Sequence, residues 1–104
     1  MTGRDLHPTD GARFLLEREP QTGDGTRASY RVSIFTPTAT FAGRVELADD
    51  GSATLAPTGA PAELDGAALM FARLIARGAA KRREDGMPPW PARVLRWRGP
   101  GRGG

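Results

Sequence analysis

The segment from Pro61 to about Arg83 constrains this chain most. Leu64, Ala67, Ala68, Phe71, Leu74, Ile75 and Gly78 recur at steps of three and four, the period that gathers residues on one face of an α-helix. Asp65, Arg73, Arg77 and Lys81 fall off that face. Pro61 suits a first helical turn, where an N–H has no intrahelical acceptor. Glu63 and Asp65 suit the positive end of the helix dipole. The helix is expected to end between Ala80 and Gly86. Arg82 returns to the line of Leu64 and Ile75 and marks where the apolar stripe stops. A stripe of this length needs a surface to cover, and the residues before it supply one.

Arg13 to Glu19 reads as a first strand, with Phe14 and Leu16 inward and Arg13, Leu15 and Glu17 outward; Leu15 interrupts the alternation. Turn residues follow as far as Arg27. Gly23 and Gly25 do not make a phosphate loop, because no Lys-Ser/Thr pair follows them. Ala28 to Thr36 alternates Tyr30, Val32 and Ile34 against Arg31, Ser33 and Phe35. A two-residue turn at Pro37-Thr38 leads into a strand from Ala39 to Ala48. It opposes Ile34 to Phe41, Val32 to Gly43 and Tyr30 to Val45, so both apolar sets share one side. A slip of one residue would turn one set over. Asp49-Asp50-Gly51-Ser52 is a strong turn signal. A three-residue loop at 50–52 is expected, with Leu47 opposite Leu55, and Ala53 to Ala56 as a short last strand before Pro57.

These elements predict an α+β fold: a four-stranded antiparallel β-meander with one long C-terminal helix packed on its inner face, followed by a Pro/Trp/Arg-rich tail. Phe71, Leu74 and Ile75 are the expected large contacts of the helix, and Ala67, Ala68 and Gly78 the points of close approach. Residues 1–11 read as a flexible leader, 12–86 as one domain, 87–98 as a tail docked on the domain or on a partner, and 99–104 as disordered. Three prolines stiffen the tail from Gly86 to Pro91. Ala92 to Arg98 alternates Arg93, Leu95 and Trp97 against Val94, Arg96 and Arg98, which fits a fifth strand or a short helical turn. In architecture alone the arrangement resembles several small folds, single-stranded DNA-binding coactivator domains among them. No motif carries a residue over from any of them.

At 104 residues the chain is one domain. With no cysteine it has no disulfide and no thiolate ligand or nucleophile. No apolar run approaches the ~20 residues that span a bilayer, and residues 1–10 lack the apolar core of a secretory signal. Cytoplasmic location and no membrane partner are expected. His7, the only histidine, reads as a surface residue. Asp24, Asp49 and Asp50 are turn residues, and Asp49-Asp50 has no third ligand nearby for a metal. General acid–base chemistry needs a positioned acid or base in a pocket, and no such group is legible. The expectation is a protein that is not an enzyme and has no cofactor.

Charge separates along the chain. Residues 1–72 carry six arginines and ten acids, a net of −4; residues 73–104 carry nine basic residues and two acids, a net of +7. Two candidate basic groups follow. Arg31 and Arg44, opposed across the meander beside Phe35, could hold an anion or a single-stranded nucleic acid. Arg73, Arg77, Lys81, Arg82 and Arg83 could follow phosphates along the helix. This ridge has no Asn or Gln to read bases, so its binding would be weakly specific. Trp90, Trp97 and Phe35 are the candidate protein-binding residues, because exposed tryptophan needs a surface. The leading expectation is a small non-catalytic binding or structural module acting through a protein–protein surface, with a homodimer as one form. The alternative is a nucleic-acid binder without sequence specificity that uses the basic C-terminal third.

Overall fold

Alternating apolar residues built five strands where four were expected. The computed structural model describes residues 7–20 and 25–99. In chain order they form β1 (Ala12–Arg18), β2 (Arg27–Phe35), β3 (Thr40–Ala48), β4 (Ala53–Leu55), the helix α1 (Ala62–Glu84) and β5 (Arg93–Arg98). The expected loop glycine Gly23, residues 1–6 and residues 100–104 lie outside the described residues. The sheet runs β4-β3-β2-β1-β5, and every neighbouring pair is antiparallel. The helix leaves β4 at one edge and returns the chain to β5 at the other. Part of the expected tail is therefore a strand of the sheet, and the folded unit extends through it.

The β2–β3 register matches the expected one at Ile34–Phe41, Val32–Gly43 and Tyr30–Val45. Thr36 N–H donates to the Ala39 carbonyl at 2.9 Å and closes the Pro37-Thr38 turn. The next register differs by two residues: Leu47 faces Ala53, and Leu55 faces Val45. Ala48 N–H donates to the Ser52 carbonyl at 3.0 Å, so the loop is 49–51 rather than 50–52. Gly51 takes φ 94° there. A shift of two keeps every side chain on its face. The Asp50 carboxylate accepts from the Ser52 N–H (2.9 Å) and hydroxyl (2.6 Å), which holds its pKa below the ordinary carboxylate value.

Phe14, Leu16, Tyr30, Val32, Ile34, Val45 and Leu47 are buried on the inner sheet face, each contributing about 1.5–3 kcal/mol. Ala67, Ala68, Ala72, Ala76 and Ala79 carry the helix onto this face, with Ile75 among them. Leu74 does not face the core; it is 54% exposed. The buried stripe is centred on alanines because the sheet already supplies the large side chains, and small residues let the helix lie close. Phe71 sits at the flank of the stripe, edge-on to Phe14 with ring centroids 5.1 Å apart. Gly78 lies under the Arg82 guanidinium, where a Cβ would meet Nη1 at 2.6 Å. The helix ends in a glycine cap: Gly86, at φ 77°, donates to Arg83 O, and Met87 N–H donates to Arg82 O.

Candidate protein-interaction surface

The segment between α1 and β5 is bonded to its own chain. Arg18 Nη1 donates to Trp90 O at 2.7 Å, Tyr30 Oη to Pro91 O at 2.6 Å, and Arg82 Nε to Pro89 O at 2.8 Å. Trp90 is 2% exposed, and its indole N–H donates to Gly25 O at 2.7 Å. Trp90, a candidate anchor for another protein, is therefore core of this one. Its ring belongs to the same buried apolar cluster as Tyr30 and Val94. Burial raises the Tyr30 pKa from its ordinary 10 to about 12, against the lowering influence of Arg18 and Arg82.

With this strap held, β5 pairs along β1, placing Leu16 beside Val94, Leu15 beside Leu95 and Arg13 beside Trp97. The outer sheet face then reads in rows across the strands. Trp97, Arg13, Phe35 and Thr40 make one row; Leu95, Leu15, Ser33 and Ala42 the next; Arg93, Glu17, Arg31 and Arg44 the third. No described helix or strand lies over these rows. Trp97 is 52% and Leu95 39% exposed, whereas Leu15 between them is buried. The Trp97 indole N–H donates to Asp10 O at 3.2 Å, which fixes the ring at the end of the sheet.

Residues 7–11 of the expected flexible leader pack on the end of this face. Pro8 is buried. The His7 ring stands edge-on to Phe35 with centroids 5.5 Å apart. Its Nδ1 lies 2.6 Å from Thr36 O and its Nε2 3.3 Å from Thr40 Oγ1. The carbonyl can only accept, so Nδ1 carries a proton and donates to it. Phe35 is consequently half-buried. Gly11, at φ 70°, lets this segment pass β5 where a Cβ would overlap Arg98 O.

The two basic groups do not merge. Arg31 faces Arg44, as expected from the turn. Arg44 is held by Glu19 through Nε (2.9 Å) and Nη2 (3.0 Å), which balances part of the repulsion. The helix ridge lies on the other side of the sheet and is divided by its own contacts. Lys81 reaches Asp85 at 3.4 Å. Arg83 reaches Asp49 at 3.2 Å and Gly25 O at 3.0 Å. Arg82 also donates to Ile75 O at 2.5 Å. Arg73 and Arg77 remain exposed. Sequence reasoning placed Arg13 and Leu15 on the outer face but did not join Arg93 and Leu95 to them as one surface. The alternation of 93–98 was the signal for it, but alternation does not say which edge a strand joins.

Among the described residues no group of three or more His, Cys, Asp or Glu could hold a metal ion, and no helix is long and apolar enough to cross a membrane. Fold and surface together define an α+β domain: a five-stranded antiparallel sheet with a helix on one face and the other face open. No family model, curated protein or solved structure matches the chain.

Proposed function

We propose that this chain is a small non-catalytic binding module acting through a protein–protein surface, the open sheet face around Trp97, Leu95 and Phe35. The observation that carries the reading is the exposure of Trp97 and Leu95 on neighbouring rows of a face with no covering element. Aromatic anchors of this kind supply much of the energy of protein interfaces. Face-to-face pairing of two copies is the homodimeric form of the same reading. A cysteine-free chain suits a reducing compartment, and a cytoplasmic setting belongs to the proposal. The test compares the native chain with Trp97→Ser/Leu95→Thr, using Leu74→Ser as the exposed control off this face. Sedimentation and affinity capture should show self-association or a captured partner that the double variant loses and the control keeps. A monomer at all concentrations, with captured proteins identical for all three chains, would overturn it.

A second reading is favoured by one observation: Trp97, Arg13 and Phe35 share a cross-strand row, with Arg93 and Arg31 on a row nearby. Aromatic rings beside arginines suit a single-stranded nucleic acid, bases stacking and phosphates pairing. Its mark is salt dependence, with each lost phosphate contact lowering the log–log slope by about 0.7. No binding of a mixed oligonucleotide pool below about 100 μM at low salt would remove it.

A further inference from the structure

The outer edge of β5 is the longer of the two open sheet edges; β4 has only three residues, and Pro57 follows soon after. The β1–β5 ladder shows which backbone groups β5 turns away from β1. Arg18 N–H donates to Ala92 O, and this pair lies in the same register as Leu16–Val94, Phe14–Arg96 and Ala12–Arg98. Hydrogen-bonded pairs alternate in an antiparallel ladder. Val94, Arg96 and Arg98 therefore turn their N–H and C=O groups toward β1, whereas Arg93, Leu95 and Trp97 turn theirs outward. The Arg96 guanidinium donates to Leu95 O at 2.9 Å, which independently places that carbonyl on the open side.

The side chains beside this edge define what fits it. On the outer face β5 presents Arg93, Leu95 and Trp97; on the inner face it presents Val94, Arg96 and Arg98. The inner side opens into a groove between β5 and α1, lined by Phe71, Leu74, Ile75, Val94 and Arg96. The strand carries three arginines and no acid. A second copy is a poor match: outward residues pair with outward residues, so antiparallel β5–β5 pairing centres on Leu95, sets Arg93 beside Trp97 and Val94 beside Arg96, and brings the arginines of both strands together with no acid to balance them.

We infer that β5 accepts an acidic, extended segment of a partner protein as a sixth strand. Carboxylates face Arg93, Arg96 and Arg98, and apolar side chains face Val94, Leu95 and Trp97. This is strand addition, in which the backbone supplies affinity and alternate side chains supply choice. An antiparallel segment would read acid, apolar, acid, apolar, apolar, acid, from the residue facing Arg98 to the residue facing Arg93. The inference shares Leu95 and Trp97 with the open-face reading and is separated from it by the outward backbone amides of β5, which strand addition protects and face contact does not.

The probe is a capped peptide with the core Glu-Val-Glu-Ile-Val-Glu, against a scrambled peptide of equal composition. Binding is followed by titration calorimetry, and amide exchange is read residue by residue. The intended peptide should bind, and the amides of Arg93, Leu95 and Trp97 should gain protection while those of Val94 and Arg96 change little. Arg96→Glu/Arg98→Glu should weaken binding about tenfold or more. A peptide with lysine facing those two positions should restore it, which a misfolded variant could not show. No binding at about 1 mM, equal binding of the scrambled peptide, or binding without protection of the three outward amides would overturn the inference. So would a dimer joined through β5, or an oligonucleotide that protects the same amides when the peptide does not.

Discussion

Tyr30→Phe removes one oxygen from the centre of the molecule and tests how the strap before β5 is held. The ring is fully buried, and its hydroxyl donates to Pro91 O at 2.6 Å. Phenylalanine keeps the ring volume, so no cavity term enters. The loss is one hydrogen bond plus an acceptor left unsatisfied, about 1–3 kcal/mol at pH 7. The pH dependence gives a second and sharper figure. Folding raises this phenol from 10 to about 12. A raised folded-state pKa means the contribution is fully present below pH 10, where both states are protonated. It falls as pH rises from 10 toward 12, because the unfolded chain releases its proton first. At about 1.4 kcal/mol per pH unit, the native protein should lose about 3 kcal/mol across that window through this group. The variant has no tyrosine left and should not show this loss. Urea melts of both proteins from pH 7 to 12 give the difference curve, in which the single Lys81 cancels. Phenolate absorbance of the folded native protein reports the one tyrosine directly. Parallel stability curves through pH 10–12, or a folded phenol titrating near 10, would refute the argument that Tyr30 is sealed against Pro91.

Two further outcomes test the packing. Trp90→Ala should cost about 3–5 kcal/mol in urea melts, from lost burial and the cavity left behind, whereas Leu74→Ala should change stability by less than about 0.5 kcal/mol; a costly Leu74→Ala would mean that the helix faces the other way, and a cheap Trp90→Ala that the strap is not part of the core. A Cβ at Gly43 would lie 2.7 Å from Thr58 Cγ2 and 3.3 Å from Ala56 O, so Gly43→Ala should destabilise by about 1–3 kcal/mol. Removing the opposing methyl with Thr58→Ser should recover part of that loss, and a double-mutant cycle showing no coupling would contradict the contact.

The first four strands, their faces and the β2–β3 register were legible in the order of residues. Alternation has a period of two, and a turn of known length converts it directly into pairing. For Tyr30, Val32, Ile34, Phe41 and Val45, local chemistry and the global fold give the same answer. The β3–β4 loop was legible only to within two residues, because Asp49-Asp50-Gly51-Ser52 admits three-residue loops at 49–51 and 50–52 that both keep the apolar face. The helix was legible in extent but not in rotation. Its apolar residues span a wide arc, and choosing Ala72, Ala76 and Ala79 over Leu74 depends on the height of the sheet side chains beneath.

The candidate site divides in the same way. Sequence composition marked Trp90 and Trp97 as alike, both tryptophans among prolines and arginines that need a surface. Tertiary structure separated them, burying Trp90 against Gly25 and leaving Trp97 half in solvent. Arg82 looked like one member of a basic ridge, but it binds the carbonyls of Ile75 and Pro89 and works as a strut. Pairing partners far apart in sequence decide these outcomes. The β1–β5 ladder joins residues about eighty positions apart, and no local period encodes which edge a strand will meet. The sequence by itself determined alternating strands, tight turns, a long helix with an apolar stripe and a basic end. The tertiary structure alone decided which of those side chains are spent on the fold and which remain exposed for a partner, because burial depends on what the distant chain brings alongside.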